Sequence, residues 1–213
     1  KFLYASSSSV YGDKAEIPYS ESESNLHPSS FYGSTKLANE LLAPTLVKNS
    51  ATIARGLRFF TVYGPWGRPD MAYFRIVSAA LGESSFSLFG DGKIKRDFTF
   101  IDDVVDTSIR LLDDLTTRGK GFADIVNIGG SRPLDMNYLI ELVQKQTKSI
   151  IAVNKENPNP LDSEITMADQ SYLTSILGEQ KFTPLEDGVE RLVSWAKDKE
   201  IKQHLRVWIE NTK

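Results

Sequence analysis

Apolar residues fall in short runs along this chain, and each run is closed by serine, glycine, proline or acidic residues. Residues Lys1 to Ser6 predict a strand that breaks into a serine run, Ser6 to Ser9. A polar stretch rich in Ser, Glu and Pro runs from about Glu16 to Ser30. The pattern then turns helical from Phe31 towards Val47, with Leu37, Leu41 and Leu42 along one side. Thr52 to Phe60 predicts a strand, Tyr63 to Asp70 a loop punctuated by Gly and Pro, and Met71 to Leu81 a helix. Short strands are expected at Ser85 to Phe89 and Arg96 to Phe100, around a Gly-Asp-Gly turn. A helix from Asp102 to about Asp114 opens on acids, as its dipole prefers. Further on, strands at Ile125 to Ile128 and Ile150 to Val153 flank a helix at Leu134 to Gln146. Asn157 to Pro160 is irregular, and helices near Gln170 to Leu177 and Leu185 to Lys199 close the pattern. Strands alternating with helices predict an α/β architecture with parallel pairing.

Composition narrows the class. The chain has 213 residues, 40% hydrophobic and 25% charged, enough apolar material for a core. A net charge of -3 gives no bulk attraction to nucleic acid or to an anionic membrane. No apolar run approaches the ~20 residues that span a bilayer. With no Cys, disulfides and thiolate chemistry are excluded. A cytoplasmic protein is the expectation. His27 and His204 stand alone, and no acidic or histidine cluster has ligand-like spacing, so no metal site is expected.

Two patterns carry chemistry. In Tyr32-Gly-Ser-Thr-Lys36, residues four apart share one helix face, so a phenol and an ammonium point the same way. A neighbouring cation favours phenolate, the form a base must present. By itself this spacing is weak and is commoner as a solvated helix surface. It gains weight from Ser6-Ser-Ser-Ser-Val-Tyr-Gly12 at the end of a strand, since parallel sheets bind ligands beyond the carboxyl ends of their strands. If the strand continues, Ser7 and Ser9 share one face and Ser8 takes the other. No Gly-x-Gly-x-x-Gly turn occurs among the 14 glycines.

These two motifs, with Leu57 to Ala72 (LRFFTVYGPWGRPDMA) and Lys95 to Val105 (KRDFTFIDDVV), resemble the extended short-chain dehydrogenases. More narrowly, they are similar to UDP-glucuronate 4-epimerases and related NAD-dependent nucleotide-sugar enzymes. The resemblance implies the C-terminal part of a Rossmann-type parallel sheet plus a smaller α/β substrate-binding domain. Residues 1–66, with about 97–128 returning to them, would be the remainder of the NAD-binding domain. Residues 67–96 and 129–213 would bind the nucleotide sugar. The family begins with a Gly-rich βαβ region of roughly a hundred residues. This sequence does not contain it, so the expectation is that these residues alone turn over little substrate.

The resemblance also implies roles. Ser7 matches the Ser/Thr that hydrogen-bonds the sugar 4-hydroxyl, Tyr32 the base, and Lys36 the residue on the nicotinamide ribose. Phe60 and Thr61 match the stretch beside nicotinamide and sugar, and Ser8 and Ser9 lie on the substrate side. Arg68 is a candidate for the substrate's anionic groups, Phe89 for the uracil, Arg96 for the diphosphate and Asp162 for the nucleotide. Leu161 and Ser163 depart from the family pattern around Asp162. From the residues alone, Phe89 reads as ordinary core and Arg96 with Asp97 as a surface ion pair. The implied reaction is 4-epimerisation through a transient 4-keto sugar, with NAD regenerated and a UDP-sugar as the partner, in a homodimer. Family dehydratases carry an Asp-Glu pair where this chain has Ser8-Ser9, and the uronate decarboxylases a Glu at the place of Ser9, which favours epimerisation. The alternatives are such a dehydratase or decarboxylase, or an inactive nucleotide-binding or dimerising remnant. UDP binding without NAD binding would mark the remnant.

Overall fold

The computed structural model describes residues 1–48, 50–82, 84–158 and 162–210, positions 202, 203, 206, 209 and 210 by backbone only. They divide into two compact units. The first comprises Lys1–Val62, Arg96–Pro133 and Leu161–Phe182; the second comprises Tyr63–Lys95, Leu134–Pro160 and Thr183–Lys213. The sequence reading put 129–213 wholly outside the first region, whereas residues 129–133 and 162–182 pack with it.

In the first unit, strand β1 (Phe2–Ser7) leads through helix α1 (Phe31–Lys48) to strand β2 (Ala54–Phe59). The strands pair in parallel, Ser6 opposite Arg58 and Ser7 opposite Phe59. This is the crossover connection that parallel strands require. Helix α3 (Ile101–Asp114) then leads to β6 (Ala123–Ile128), parallel to the other side of β2, so the order is β1-β2-β6. Alternation along β2 sends successive side chains to opposite faces. Leu57 packs with Val104 and Leu111 of α3, Val126 and Ile128 of β6, and Leu173 of α5 (Ser171–Leu177). Arg55, on the same face, is fully buried and reaches Asp114 and Asp124. Arg58 points the other way, to Glu40 of α1. A second cluster gathers Val10, Tyr11, Tyr19, Phe60 and Ala168.

Two expectations are corrected here and one is extended. The strand stops at Ser7, and Ser8–Val10 forms a 3-10 turn, so period-two alternation does not extend through the serines. The strand expected at Thr52 to Phe60 is present as β2, Ala54–Phe59, and a further strand, β3 (Thr61–Tyr63), follows where none was expected. On α1 the buried residues are Gly33, Glu40, Ala43 and Val47, while Leu41 and Leu42 face solvent. Apolar periodicity misjudged that helix because its inner face carries a carboxylate with its own buried partner.

The second unit holds α2 (Ala72–Ala80), α4 (Met136–Thr147), α6 (Leu185–Ala196) and α7 (Lys199–Glu210). Asp135 caps α4 by accepting from the Tyr138 N–H. Gly188 on α6 leaves room for the Tyr63 ring, whose hydroxyl lies 1.9 Å from where a Cβ would stand. Helix α7 extends beyond the sequence reading, although Ile201, Leu205 and Trp208 already gave the helical spacing. Strand β4 (Phe86–Phe89) pairs in parallel with β8 (Val153–Glu156), Phe86 opposite Val153. It does not pair across the Gly-Asp-Gly turn, and β8 starts at Val153 rather than Ile150, whose side chain is exposed. Strand β5 (Lys95–Phe100) lies between β3 and β7 (Pro133–Asp135).

Candidate active site

The C-terminal end of β1 and the first turns of α1 meet in the first unit. Ser7 ends the strand and caps the 3-10 turn: its Oγ accepts from the Ser9 N–H at 3.2 Å and donates to Ser9 Oγ at 3.1 Å. Ser7 is 8% exposed. Helix α1 lies against this turn because residue 33 is glycine. A Cβ there would stand 2.6 Å from the Ser9 carbonyl oxygen and 2.9 Å from the Pro28 side chain. Tyr32 precedes that contact and presents a half-exposed phenol. One turn on, the Lys36 ammonium sits 5.5 Å from the Tyr32 ring centre and donates to the Ala5 carbonyl at 3.1 Å. Lys36 thus bridges the tyrosine to the strand that ends in Ser7.

The remaining predicted residues divide between the units. In the first, Phe60 is buried among the Tyr11 and Tyr19 rings, at 6.4 and 6.2 Å between centres. Thr61, which opens β3, is half-buried. Arg96 comes together with Asp162 at 3.5 Å and donates to the Ser163 carbonyl at 2.7 Å. Burial pulls the Arg96 guanidinium below the ordinary arginine value, with Asp162 opposing. Ser163 Oγ donates to the Gly12 carbonyl at 3.4 Å, which ties this pair to the loop leaving the serine turn. Asp97 forms no surface ion pair. Its carboxylate is fully buried and accepts the N–H groups of Gly130, Ser131 and Ala168 at 2.8, 3.0 and 2.9 Å.

In the second unit, Arg68 holds Asp70 through two guanidinium nitrogens, both side chains well exposed. Phe89 ends β4 and is about half exposed, which excludes the ordinary-core reading.

Sequence reading missed a buried polar network behind Ser7. The Arg58 guanidinium grips Glu40 with two bonds of 2.9 and 2.8 Å and lies 4.6 Å from the Tyr11 ring centre. Ser6 Oγ donates to Glu40. Tyr11 donates to Asn127 at 2.8 Å, Asn127 donates to the Tyr19 carbonyl, and its N–H donates to Glu21 at 2.7 Å. Burial pushes the Tyr11 phenol up to about 12. The signal available in the sequence was Glu40 itself, a carboxylate in phase with Tyr32 and Lys36 on a helix packed against a sheet.

Burial also raises the Glu21 carboxyl above its ordinary 4.5, a nearby Asp169 adding to the shift and the Asn127 N–H opposing it. A carboxyl with a raised folded-state value contributes stability that is present below its unfolded value and lost as pH rises through the folded one. The melting temperature of the wild type minus that of Glu21→Gln is therefore expected to fall as pH rises above the ordinary carboxyl value of 4.5. Differential scanning calorimetry at successive pH values reads it, and a rising difference would contradict the assignment.

The profile of the NAD dependent epimerase/dehydratase family matches residues 1–129. An Escherichia coli protein named only for its place in the cld 5′ region is 42% identical over 212 residues, covering 92% of this chain and 63% of its own length. UDP-glucuronate 4-epimerase 4 of Arabidopsis thaliana is 37% identical over 205 residues, 91% of this chain and 47% of that protein. The crystal structure of UDP-glucuronic acid 4-epimerase from Bacillus cereus, with UDP-glucuronic acid and NAD, superposes with a TM-score of 0.83 at 34% identity. That superposition covers 95% of this chain and 62% of the other. The chain thus spans between 47% and 63% of the length of these relatives.

Proposed function

The chain belongs to the NAD dependent epimerase/dehydratase family, and from that footing we propose that it carries the proton-transfer centre of a UDP-sugar 4-epimerase of the UDP-glucuronate/UDP-galacturonate type. The observation that carries the reading is the Lys36 bridge: one ammonium beside the Tyr32 ring and bonded to the strand that ends in Ser7. Tyr32 removes the proton from the sugar 4-hydroxyl and returns it. Ser7 holds that oxygen; its hydroxyl can exchange the Ser9 bond for one to substrate. Lys36, against the Tyr32 ring and bonded to β1, keeps the phenol oriented.

The residues present fit the nicotinamide end of NAD. An ammonium has three donors, and one of Lys36's is given to Ala5, leaving donors for ribose hydroxyls; the Tyr32 phenol stands open beside it. Phe60 is assigned to the same nicotinamide end. When bound, NAD supplies the acceptor and donor of the C4 hydride. Arg96 and Asp162 are assigned to the nucleotide and its diphosphate, Arg68 to the substrate's anionic groups, and Phe89 to the uracil. An arginine fork suits carboxylate and phosphate alike. The turn Ser7–Val10 holds no carboxylic acid, which favours epimerisation over dehydration or decarboxylation. A homodimer in the cytoplasm belongs to the same reading, with Leu41, Leu42 and Leu46 of α1 as its exposed apolar stripe. Among the described residues no helix is long and apolar enough to cross a membrane.

The test is proton NMR of UDP-glucuronate incubated with the chain and NAD. The C4 epimer, with a C4 deuterium label retained, is the expected product, formed at a low rate by these residues alone. Loss of water or carbon dioxide would replace the assignment by dehydratase or decarboxylase. Calorimetry with UDP and with NAD separates a further case, since UDP binding alone marks a nucleotide-binding remnant.

A further inference from the structure

Tyr32, Lys36 and Glu40 stand four residues apart on α1, so each lies one turn below the last on the same face. Each of the lower two meets β1. Lys36 donates to the carbonyl of Ala5, and Glu40 accepts from the hydroxyl of Ser6. Glu40 is held in turn by Arg58, the residue that pairs with Ser6 across the β1-β2 ladder. Both charged side chains are almost fully buried, at 2% and 3% exposure. Arg58 also lies over Tyr11, which closes the 3-10 turn after Ser7. One ion pair therefore touches the residue before Ser7, the turn after it, and the helix that carries Lys36.

A buried ion pair is a weak source of net stability, because desolvation consumes most of its Coulomb gain, and apolar residues of similar volume often serve as well. What it supplies is geometry. Two parallel N–H to carboxylate bonds are satisfied at one separation and one angle. Sliding α1 along β1 would strand a charge in the interior, whereas an apolar contact would tolerate the slide.

We infer that Glu40, gripped by Arg58, is a positioning residue that fixes the height of α1 on β1 and thereby places the Lys36 ammonium at the Ala5 carbonyl beside Ser7. The catalytic meaning of that placement rests on the epimerase reading above, but the placement can be measured without turnover. The probe is competitive acetylation of the folded chain with acetic anhydride, read by peptide mass mapping as the rate at Lys36 relative to Lys48, an exposed lysine on the same helix.

Two variants are compared with wild type. Glu40→Met with Arg58→Met replaces the pair by apolar side chains of similar reach, an exchange that commonly preserves the fold. Glu40→Asp keeps both charges and shortens the reach by about 1.5 Å. The Lys36 to Lys48 ratio is expected to rise roughly three- to tenfold in both, the equivalent of one hydrogen bond lost. If the pair serves stability alone, Glu40→Asp restores the wild-type ratio. A wild-type ratio in either folded variant overturns the inference, and Glu40→Asp decides it should the double variant fail to fold. In the epimerisation assay kcat should fall with KM for the nucleotide sugar unchanged. Absence of epimer from wild type would sink the catalytic reading while the acetylation ratio still decides the placement.

Discussion

Tyr32→Phe is expected to lower the rate of C4 inversion by about 10²–10⁴-fold, the range for removing a positioned general acid/base. The substitution deletes one oxygen from a half-exposed side chain, so nothing in the core is disturbed. Gly33 still seats α1 on the serine turn and Lys36 still meets Ala5, since neither contact involves the phenol oxygen. Affinity for UDP should therefore stay within about twofold, and the loss should appear in kcat. Initial rates by NMR together with calorimetry on UDP separate the two. A rate within tenfold of wild type would remove Tyr32 from the chemistry and leave Lys36 and Ser7 without a base to serve.

Arg55→Met is expected to produce the largest loss of stability, about 3–5 kcal/mol, because it strands two carboxylates around a fully buried position. Arg55 Nε and Nη2 each bond Asp124 at 2.8 Å, and Nη1 bonds Asp114 at 3.0 Å and the Leu111 carbonyl at 3.2 Å. Asp114 keeps Arg118 and Asp124 keeps Tyr172, so both retain some compensation. The guanidinium nevertheless joins the start of β2, the end of α3 and the start of β6 at one point. In a chain of this size the expected fall in melting temperature is roughly 7–11 °C. Urea unfolding followed by circular dichroism reads it, and a loss below about 1 kcal/mol would show that the three elements are held by their apolar faces alone.

How much of this was legible depended on how local the determinant was. The β1, α1, β2 succession could be read because an apolar strand, a serine break and a Tyr-x-x-x-Lys helix each announce themselves within a few residues. The meeting of Arg96 and Asp162 could not be read, because it spans 66 residues of chain with no local signal. Nor could the inner face of α1. Leu41 and Leu42 have the right character for a core, yet Glu40 occupies it, because Arg58 arrives from a strand 18 residues away. The partner of β4 was hidden for the same reason. A Gly-Asp-Gly turn is compatible with a hairpin, but the strand that joins β4 lies beyond α4, and its choice is made by packing in the second unit. Ile150 shows the converse: an apolar residue left in solvent, where propensity placed it in a strand.

The anchor of Lys36 is a main-chain oxygen, and the Ala5 side chain itself is exposed. No exchange of the residue at position 5 can delete that acceptor, so mutational drift there is silent to the ammonium. The opposite holds one step along the helix from Tyr32, where even a methyl group at position 33 would collide with the Ser9 carbonyl. Sequence variation around this centre should therefore be permissive on the strand and strict on the helix, an asymmetry that a designer grafting the centre onto another parallel sheet would inherit.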